Sequence, residues 1–398
     1  MIMMPCRLLN LHYVIEGFIR TKVPLILFDG AKLSPFLGFD DIGIYVFIPQ
    51  LVRLLGINLE QAINLFFYGF VFISFLLSII GFLLIYKSLV PRCCSIAGLA
   101  LLMFFLFKFQ ISDVYLTYVA TSLSTIPLFL YFIQKKIESQ FFYLFLVISG
   151  MLLGTFHYLR AHSGLGALVF IIVMLLFNNI IDYKKKLMLL CCILFGLACP
   201  RFYFKSIINT YESYTHIHFP ESRKLLTIHP FWHSAYIGFG FLNFWNYDNI
   251  QYDDSCACDK VHQRNPLISI DQTEEYEAIL QEETILLWKK QPFFVLFTIF
   301  AKIGILFLFL LIFSNIGLLA ALFFPKSWNL ELAFFCSFVI NSLFPIMAHP
   351  GFWYAIGFIT MATLYGIISI NEALIKIDFK KYLISYKKLF KNSLITNT

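Results

Sequence analysis

Charge is scarce in this sequence. Only 13% of its 398 residues are Asp, Glu, Lys or Arg, and 60% are hydrophobic, whereas an average soluble domain is roughly one quarter charged. A soluble globular chain is thereby excluded. The ten-residue alternation of polar and apolar side chains that a membrane barrel requires is also missing, so strands are not expected. Internal repeats and low-complexity segments are absent. The chain has no Walker loop, no dinucleotide fingerprint, no G-x-S-x-G and no H-E-x-x-H, which leaves ATP-driven pumping, hydride transfer and those hydrolase chemistries without residue support. Nor is the net charge of +7 a nucleic-acid footprint, because the basic residues gather at the ends of apolar blocks and in the tail.

What the sequence does contain is a series of apolar blocks of about 20 residues, the length that a bilayer core imposes on a helix. The expected fold is all-α: a polytopic integral membrane protein with about nine or ten transmembrane helices and one long outer loop. The spans fall at roughly 63–86, 94–107, 113–133, 141–159, 164–181, 187–204, 293–315, 330–347 and 352–371, with 94–107 the shortest and 315–325 either a continuation or a separate short helix. These blocks are nearly free of charge. Residues 8–28 are apolar but preceded by Arg7 and interrupted by His12, Glu16, Arg20 and Lys22, which fits an interfacial amphipathic helix better than a span.

Lys and Arg alternate strongly between successive short loops. One set carries Lys87 and Arg92, then Lys135 and Lys136, then Lys184 to Lys186, then Lys326 and the tail lysines; the other carries only Lys108 and Arg160. The positive-inside rule makes the first set cytoplasmic and puts the second set, with residues 40–41, 157–164, 205–292 and 349–351, outside. Residues before 63 must then be translocated, which requires either that 8–28 cross after all or that a segment precede this start. The chain divides into 1–62 (interfacial segment and first outer loop), 63–204 (helix bundle), 205–292 (outer subdomain), 293–371 (C-terminal helices) and 372–398 (basic tail).

Ionisable groups near a bilayer are costly unless used. Asp40 and Asp41, in Phe39-Asp-Asp-Ile-Gly-Ile-Tyr45, are either acids of a solvated turn or a base for a lipid-anchored substrate. His157, Arg160 and His162 in the turn 157–164 concentrate cations where a lipid phosphate would lie; a snorkelling Arg at a helix end is the alternative. Lys108 and His349 add further contacts on that face. His229 and His233, in His-Pro-Phe-Trp-His, serve either substrate or interfacial anchoring. Their i, i+4 spacing would suit a metal pair, but no third ligand follows by spacing. Asp253 to Asp259 lacks the pattern of a calcium loop, and the Glu-rich run 274–283 is a wetted helix face. Six of the nine Cys lie in or beside apolar segments as small hydrophobes. Cys256 and Cys258 could be a strained disulfide, a metal pair or two idle thiols.

An acidic dyad early in the chain, then Tyr45, a Pro-led apolar segment ending in Leu-Leu-Gly (residues 49–56), an Ala-initiated helix and many short-looped spans resemble the GT-C superfamily of polyprenyl-phosphate-sugar glycosyltransferases. The protein mannosyltransferase and aminoarabinose transferase type is the nearest in pattern. The specific match covers residues 39–65, with Asp41 where Glu is commoner. The resemblance implies that Asp40 is the catalytic base with Asp41 second; Tyr45, Lys108, His157, Arg160, His162, His229, His233 and His349 are the candidate contacts to the donor's lipid phosphate or sugar. It further implies a polyprenyl-phosphate-sugar donor, a lipid, glycan or protein acceptor, contact with membrane lipids and none with nucleic acid. The setting would be a bacterial inner membrane with the active site facing the periplasm. Some members use a divalent cation and others none; no cofactor is required by this sequence. The rival expectations are an O-antigen polymerase or ligase working through Arg and His of the long loop, and a lipid or solute transporter.

Overall fold

The computed structural model describes residues 5–37, 41–220, 231–246, 248–268 and 274–377. Asp40, His229 and the tail beyond 377 lie outside the described residues. Helix α1 (Pro5–Thr21) leads into a hairpin of β1 (Ile26–Phe28) and β2 (Leu33–Pro35), then α2 (Ile42–Leu55). The bundle follows with α3 (Leu59–Ile85), α4 (Leu89–Lys108), α5 (Leu116–Lys135), α6 (Gln140–Leu159), α7 (Leu165–Leu176) and α8 (Tyr183–His218). A smaller unit holds α9 (Phe231–Gly238), α10 (Asp254–Arg264) and α11 (Glu274–Lys290). The chain re-enters the bundle through α12 (Pro292–Ser314), α13 (Ile316–Phe323), α14 (Trp328–Met347) and α15 (Phe352–Lys376).

Eight of these, α3, α4, α5 with the turn before it, α6, α8, α12, α14 and α15, are long and apolar enough to cross a membrane. The protein is a predominantly helical, polytopic membrane protein. The bundle is layered: the α5 and α15 windows are 83% and 78% buried, while α4, α8 and α12 bury 28% each and present side chains such as Phe104, Phe195 and Phe300 outward. Without water to hydrophobically drive helices together inside a bilayer, close backbone approach does much of the packing. In α6 and α8 it is achieved by Gly150 and Gly196, whose Cα atoms meet so closely that a Cβ on either would run into the partner's backbone.

Several elements differ from the sequence-based expectation. The short hairpin, pairing Leu27 with Ser34, is a pair of strands where none was expected; it rests on α1, whose Leu11, Val14, Ile15 and Phe18 are buried. That burial is the apolar face of the amphipathic helix, and α1 is not among the candidate spans. α4 is a full 20 residues, since Pro91 is tolerated in a first turn. α7 stops at Leu176, where Asn178 accepts from the Ile180 amide in a turn; at 1.5 Å per residue its 12 residues reach about 18 Å, so the helix covers only part of the path back to the Lys-rich end and residues 177–182 complete it without helix. α8 runs through residue 204 without a break, so the boundary drawn there falls inside one helix. Residues 315–325 contain a separate helix, α13, opened by Asn315. Finally, the spans are not free of charge: Lys302 lies fully buried in α12. Its ammonium donates to the carbonyls of Ile346, Met347 and Ala348 at the end of α14, which supplies the partners that a buried cation requires.

The smaller unit has a core of its own, made by Tyr236, Ile250, Val261, Tyr276 and Leu280 with Phe294 and Val295 of α12. The Lys-rich loops fall at one end of the bundle, where Lys185 pairs with Glu138 and Lys326 reaches Glu331 and Ser369. The other end carries the candidate site.

Candidate functional site

Four charged side chains from four parts of the chain meet at that other end. Asp41 is the residue before α2 and adopts a left-handed backbone, φ 58°. Asp113 opens the turn into α5 in the same region, φ 60°. Such backbones are uncommon for residues with a Cβ and mark positions over-determined by their surroundings. The approach of α2 to the end of α6 depends on Gly43: a Cβ there would lie 2.8 Å from the Tyr158 carbonyl oxygen. Two residues beyond Tyr158, Arg160 leaves α6 in an extended conformation and directs its guanidinium to Asp41.

The Asp41 Oδ2 accepts from Arg7 at 2.8 Å and from Arg160 at 3.3 Å, while Arg7 also donates to Asp113 Oδ2 at 2.5 Å. The side chains are 1% (Asp41), 3% (Asp113), 5% (Arg160) and 11% (Arg7) exposed. Charges this buried persist only when paired, because desolvation costs each several kcal/mol or more. Burial opposes the charge on Arg7, but the carboxylates of Asp41 and Asp113 outweigh it and raise its pKa above the ordinary range. Asp113 Oδ1 is buried and has no hydrogen-bond partner among the described residues.

An aromatic wall joins this knot to the smaller unit. The Arg160 guanidinium lies 5.1 Å from the Tyr115 ring centre and 5.6 Å from that of Phe344. Tyr115 packs edge-on against Trp353 and Tyr354, and the Tyr354 hydroxyl reaches Tyr252. Burial, then Tyr354, pushes the Tyr252 phenol above its ordinary range, so it remains a hydrogen-bond donor. His349 sits between the rings of Tyr252 and Phe241. Burial and then the nearby Lys302 lower its pKa, which favours the neutral imidazole.

The residues singled out in the sequence separate into groups. Asp41 and Arg160 come together as an ion pair, and His349 stands at the far end of the wall. Tyr45 is buried in α2 with its ring 4.3 Å from Phe36, a packing role beside the hairpin. Lys108 is exposed at the end of α4, 6.0 Å over the ring of Phe104. His162 is exposed near Phe344. His157 points elsewhere, into a cavity of about 550 Å³ between α6, α7 and α8. His233 belongs to the smaller unit: Nδ1 meets the Tyr276 hydroxyl at 2.7 Å, Nε2 meets Asp254 at 3.0 Å, and its amide donates to Glu277. Both ring nitrogens hold the unit together, which favours anchoring over catalysis. Asp40 and His229 lie outside the described residues.

Among the described residues no group of three His, Cys, Asp or Glu stands together as a metal site. Cys256 and Cys258 are both free and both in α10, where i, i+2 side chains diverge around the helix and cannot meet the geometry of a disulfide. Cys256 accepts from the Gln251 amide and Cys258 lies against the Tyr276 hydroxyl.

Arg7 and Asp113 were not among the residues selected from the sequence. For Arg7 a signal existed: it shares the 7, 11, 14, 18 face of α1 with Leu11, Val14 and Phe18, all buried, and a charge on the apolar face of a helix needs a partner. Asp113 offered less, because an acid at the start of a span reads as an ordinary helix end. No family model, curated protein or solved structure matches this chain.

Proposed function

We propose that this protein is a membrane glycosyltransferase that moves a sugar from a polyprenyl-phosphate donor to a lipid, glycan or protein acceptor, working on the outer, periplasmic face of a bacterial inner membrane. The observation that carries this reading is the Asp41 carboxylate, 1% exposed and gripped by two arginines at the end of the bundle, directly after Asp40. A carboxylate whose oxygen is shared by two guanidinium groups is a positioning element; the neighbouring Asp40 is then the base that takes the acceptor hydroxyl's proton. Arg7 and Arg160 hold α1, α2 and the turns before α5 and after α6 in one geometry, and their charges offset those of Asp41 and Asp113 beside a departing lipid phosphate. The aromatic wall suits a sugar ring, which stacks on such faces while the Tyr252 hydroxyl donates. The face carrying the Lys-poor loops is assigned outward by the charge bias of the short loops.

The test is transfer of sugar from a polyprenyl-linked donor in membranes at matched protein levels. Asp40→Asn keeps size and hydrogen bonding but removes basicity, so insertion should persist while transfer falls about 100-fold or more. Full activity in the Asp40→Asn, Asp41→Asn double variant would sink the reading. A polymerase or ligase working through the long loop would instead fail at His233, whose ring is already committed to Tyr276 and Asp254. The transporter reading has Lys302 in its favour, but three carbonyls occupy that ammonium.

A further inference from the structure

The cavity between α6, α7 and α8 is built unlike the rest of the molecule. Gly150 and Gly196 clamp α6 to α8; toward the site end, Leu153, Gly154 and His157 of α6 face Leu197, Arg201 and Lys205 of α8 across about 550 Å³. Ser163, Gly164, Leu165 and Leu168 close the third side. None of Arg7, Asp41, Asp113 or Arg160 lines it.

Its chemistry is divided. Leu153, Leu165, Leu168 and Leu197 make an apolar wall, and Arg201 and Lys205 stand one helical turn apart on the same face of α8. Neither cation forms an ion pair among the described residues. The N-terminus of the 12-residue α7 opens here at Gly164 with no side-chain cap; the Leu165 amide donates to the His162 carbonyl, and the positive end of the helix dipole lies beside the cavity. Ser163 points to a ligand independently: it is 2% exposed, it lines the cavity, and its Oγ has no hydrogen-bond partner among the described residues. A buried hydroxyl left without a partner costs about 1–3 kcal/mol, and a ligand oxygen in the cavity would satisfy it.

Depth fixes the class of ligand. α8 starts at Tyr183, beside the lysines of the opposite end, and at 1.5 Å per residue Arg201 and Lys205 lie about 27 and 33 Å along it. A bilayer's hydrocarbon core is about 30 Å thick, which places both cations at the level of lipid phosphates. Phe195 and Phe202 beside them are exposed on the helix surface, as lipid-facing residues are.

We infer that this cavity is a binding site for the phosphate group of a membrane lipid: Arg201 and Lys205 pair with the phosphate oxygens, Ser163 donates to them beside the positive end of the α7 dipole, and the leucine wall takes the first carbons of the lipid. The site stands apart from the transferase reading, because occupancy can be measured without turnover.

Native mass spectrometry of the purified chain in detergent, titrated with dioleoyl phosphatidic acid, tests it. The wild type should retain one phosphatidic acid and no dioleoylglycerol. Arg201→Gln with Lys205→Gln should weaken retention about tenfold or more, and Ser163→Ala about fivefold, in line with lost charge-assisted and neutral hydrogen bonds. Lys135→Gln with Lys136→Gln, at the other end, should retain the lipid like the wild type. Equal retention by the Arg201, Lys205 double variant would overturn the site, as would an equal loss in the Lys135, Lys136 control, which would mean diffuse attraction. Displacement of phosphatidic acid by an equal concentration of glycerol 3-phosphate would overturn the lipid assignment and leave a site for a soluble phosphate ester.

Discussion

Two clusters of paired acids and bases behave differently. At the end of the bundle, Arg7, Asp41, Asp113 and Arg160 join residues 34, 106 and 119 apart in the chain and are nearly sealed from solvent. In the smaller unit Glu283 pairs with Lys260 at 3.1 Å and with Arg264; the glutamate is buried, but Arg264 is 53% exposed and its partner lies 19 residues away. The local, half-wetted cluster can exchange its partners for water when disturbed. The sealed one cannot, so each of its members is held in place by the cost of stranding another. The same chemistry is therefore a surface brace in one place and a geometric constraint on a candidate site in the other.

Asp113→Asn should produce the largest effect, because it removes one of the two carboxylates that hold Arg7. Thermal unfolding in detergent should show a loss of about 3–5 kcal/mol, and transfer should fall with it. Arg7→Met combined with Asp113→Leu removes the pair instead of stranding it, so most of that stability should return, whereas transfer should stay low because Asp41 has lost a guanidinium. Recovery of both would reduce the knot to a structural brace.

His233→Phe should come next. It leaves Tyr276 and Asp254 without the imidazole and should lower the stability of the smaller unit by about 1–3 kcal/mol, read as faster amide exchange in α9 and α11. Catalysis by His233 would instead appear as lost transfer with unchanged exchange. Glu283→Gln should cost about 1 kcal/mol or less; a loss as large as that of Asp113→Asn would erase the contrast between the clusters.

The smallest effect is a pH dependence at His349. Burial and Lys302 hold its folded pKa below the ordinary 6.5, so the unfolded chain takes up this proton first. Its contribution to stability is therefore whole above pH 6.5 and is lost as pH falls toward and through the folded value. Melting temperatures of the wild type and His349→Gln, measured from pH 7.5 down to about 5, should diverge on the acid side, with the wild type falling more steeply.

The spans were legible because a run of about 20 apolar residues is a local property, readable wherever it stands. α7 was read too long for the converse reason: residues 177–181 are apolar enough to extend a window, but the Asn178 turn ends the helix. Half of the charged knot was legible, since Asp41 and Arg160 stand out against apolar surroundings. Asp113 was hidden as a helix end, and Arg7 as one of several charges in a helix taken to be wet on its polar face. The cavity at Arg201 and Lys205 was not legible, since it exists only where α6, α7 and α8 converge.

By itself, the sequence determined that this chain lies in a membrane, where its helices run, which loops carry the basic residues and that an acidic pair precedes α2. All of these follow from composition within one helix length. Tertiary structure alone decided that Asp41 would be shared by two arginines, that Lys302 would be absorbed by the carbonyls of α14, and that Ser163 would face Arg201 and Lys205. Those pairings depend on close backbone approaches, such as Gly43 against Tyr158 and Gly150 against Gly196, and ion pairs between residues far apart in the chain leave no periodicity to read.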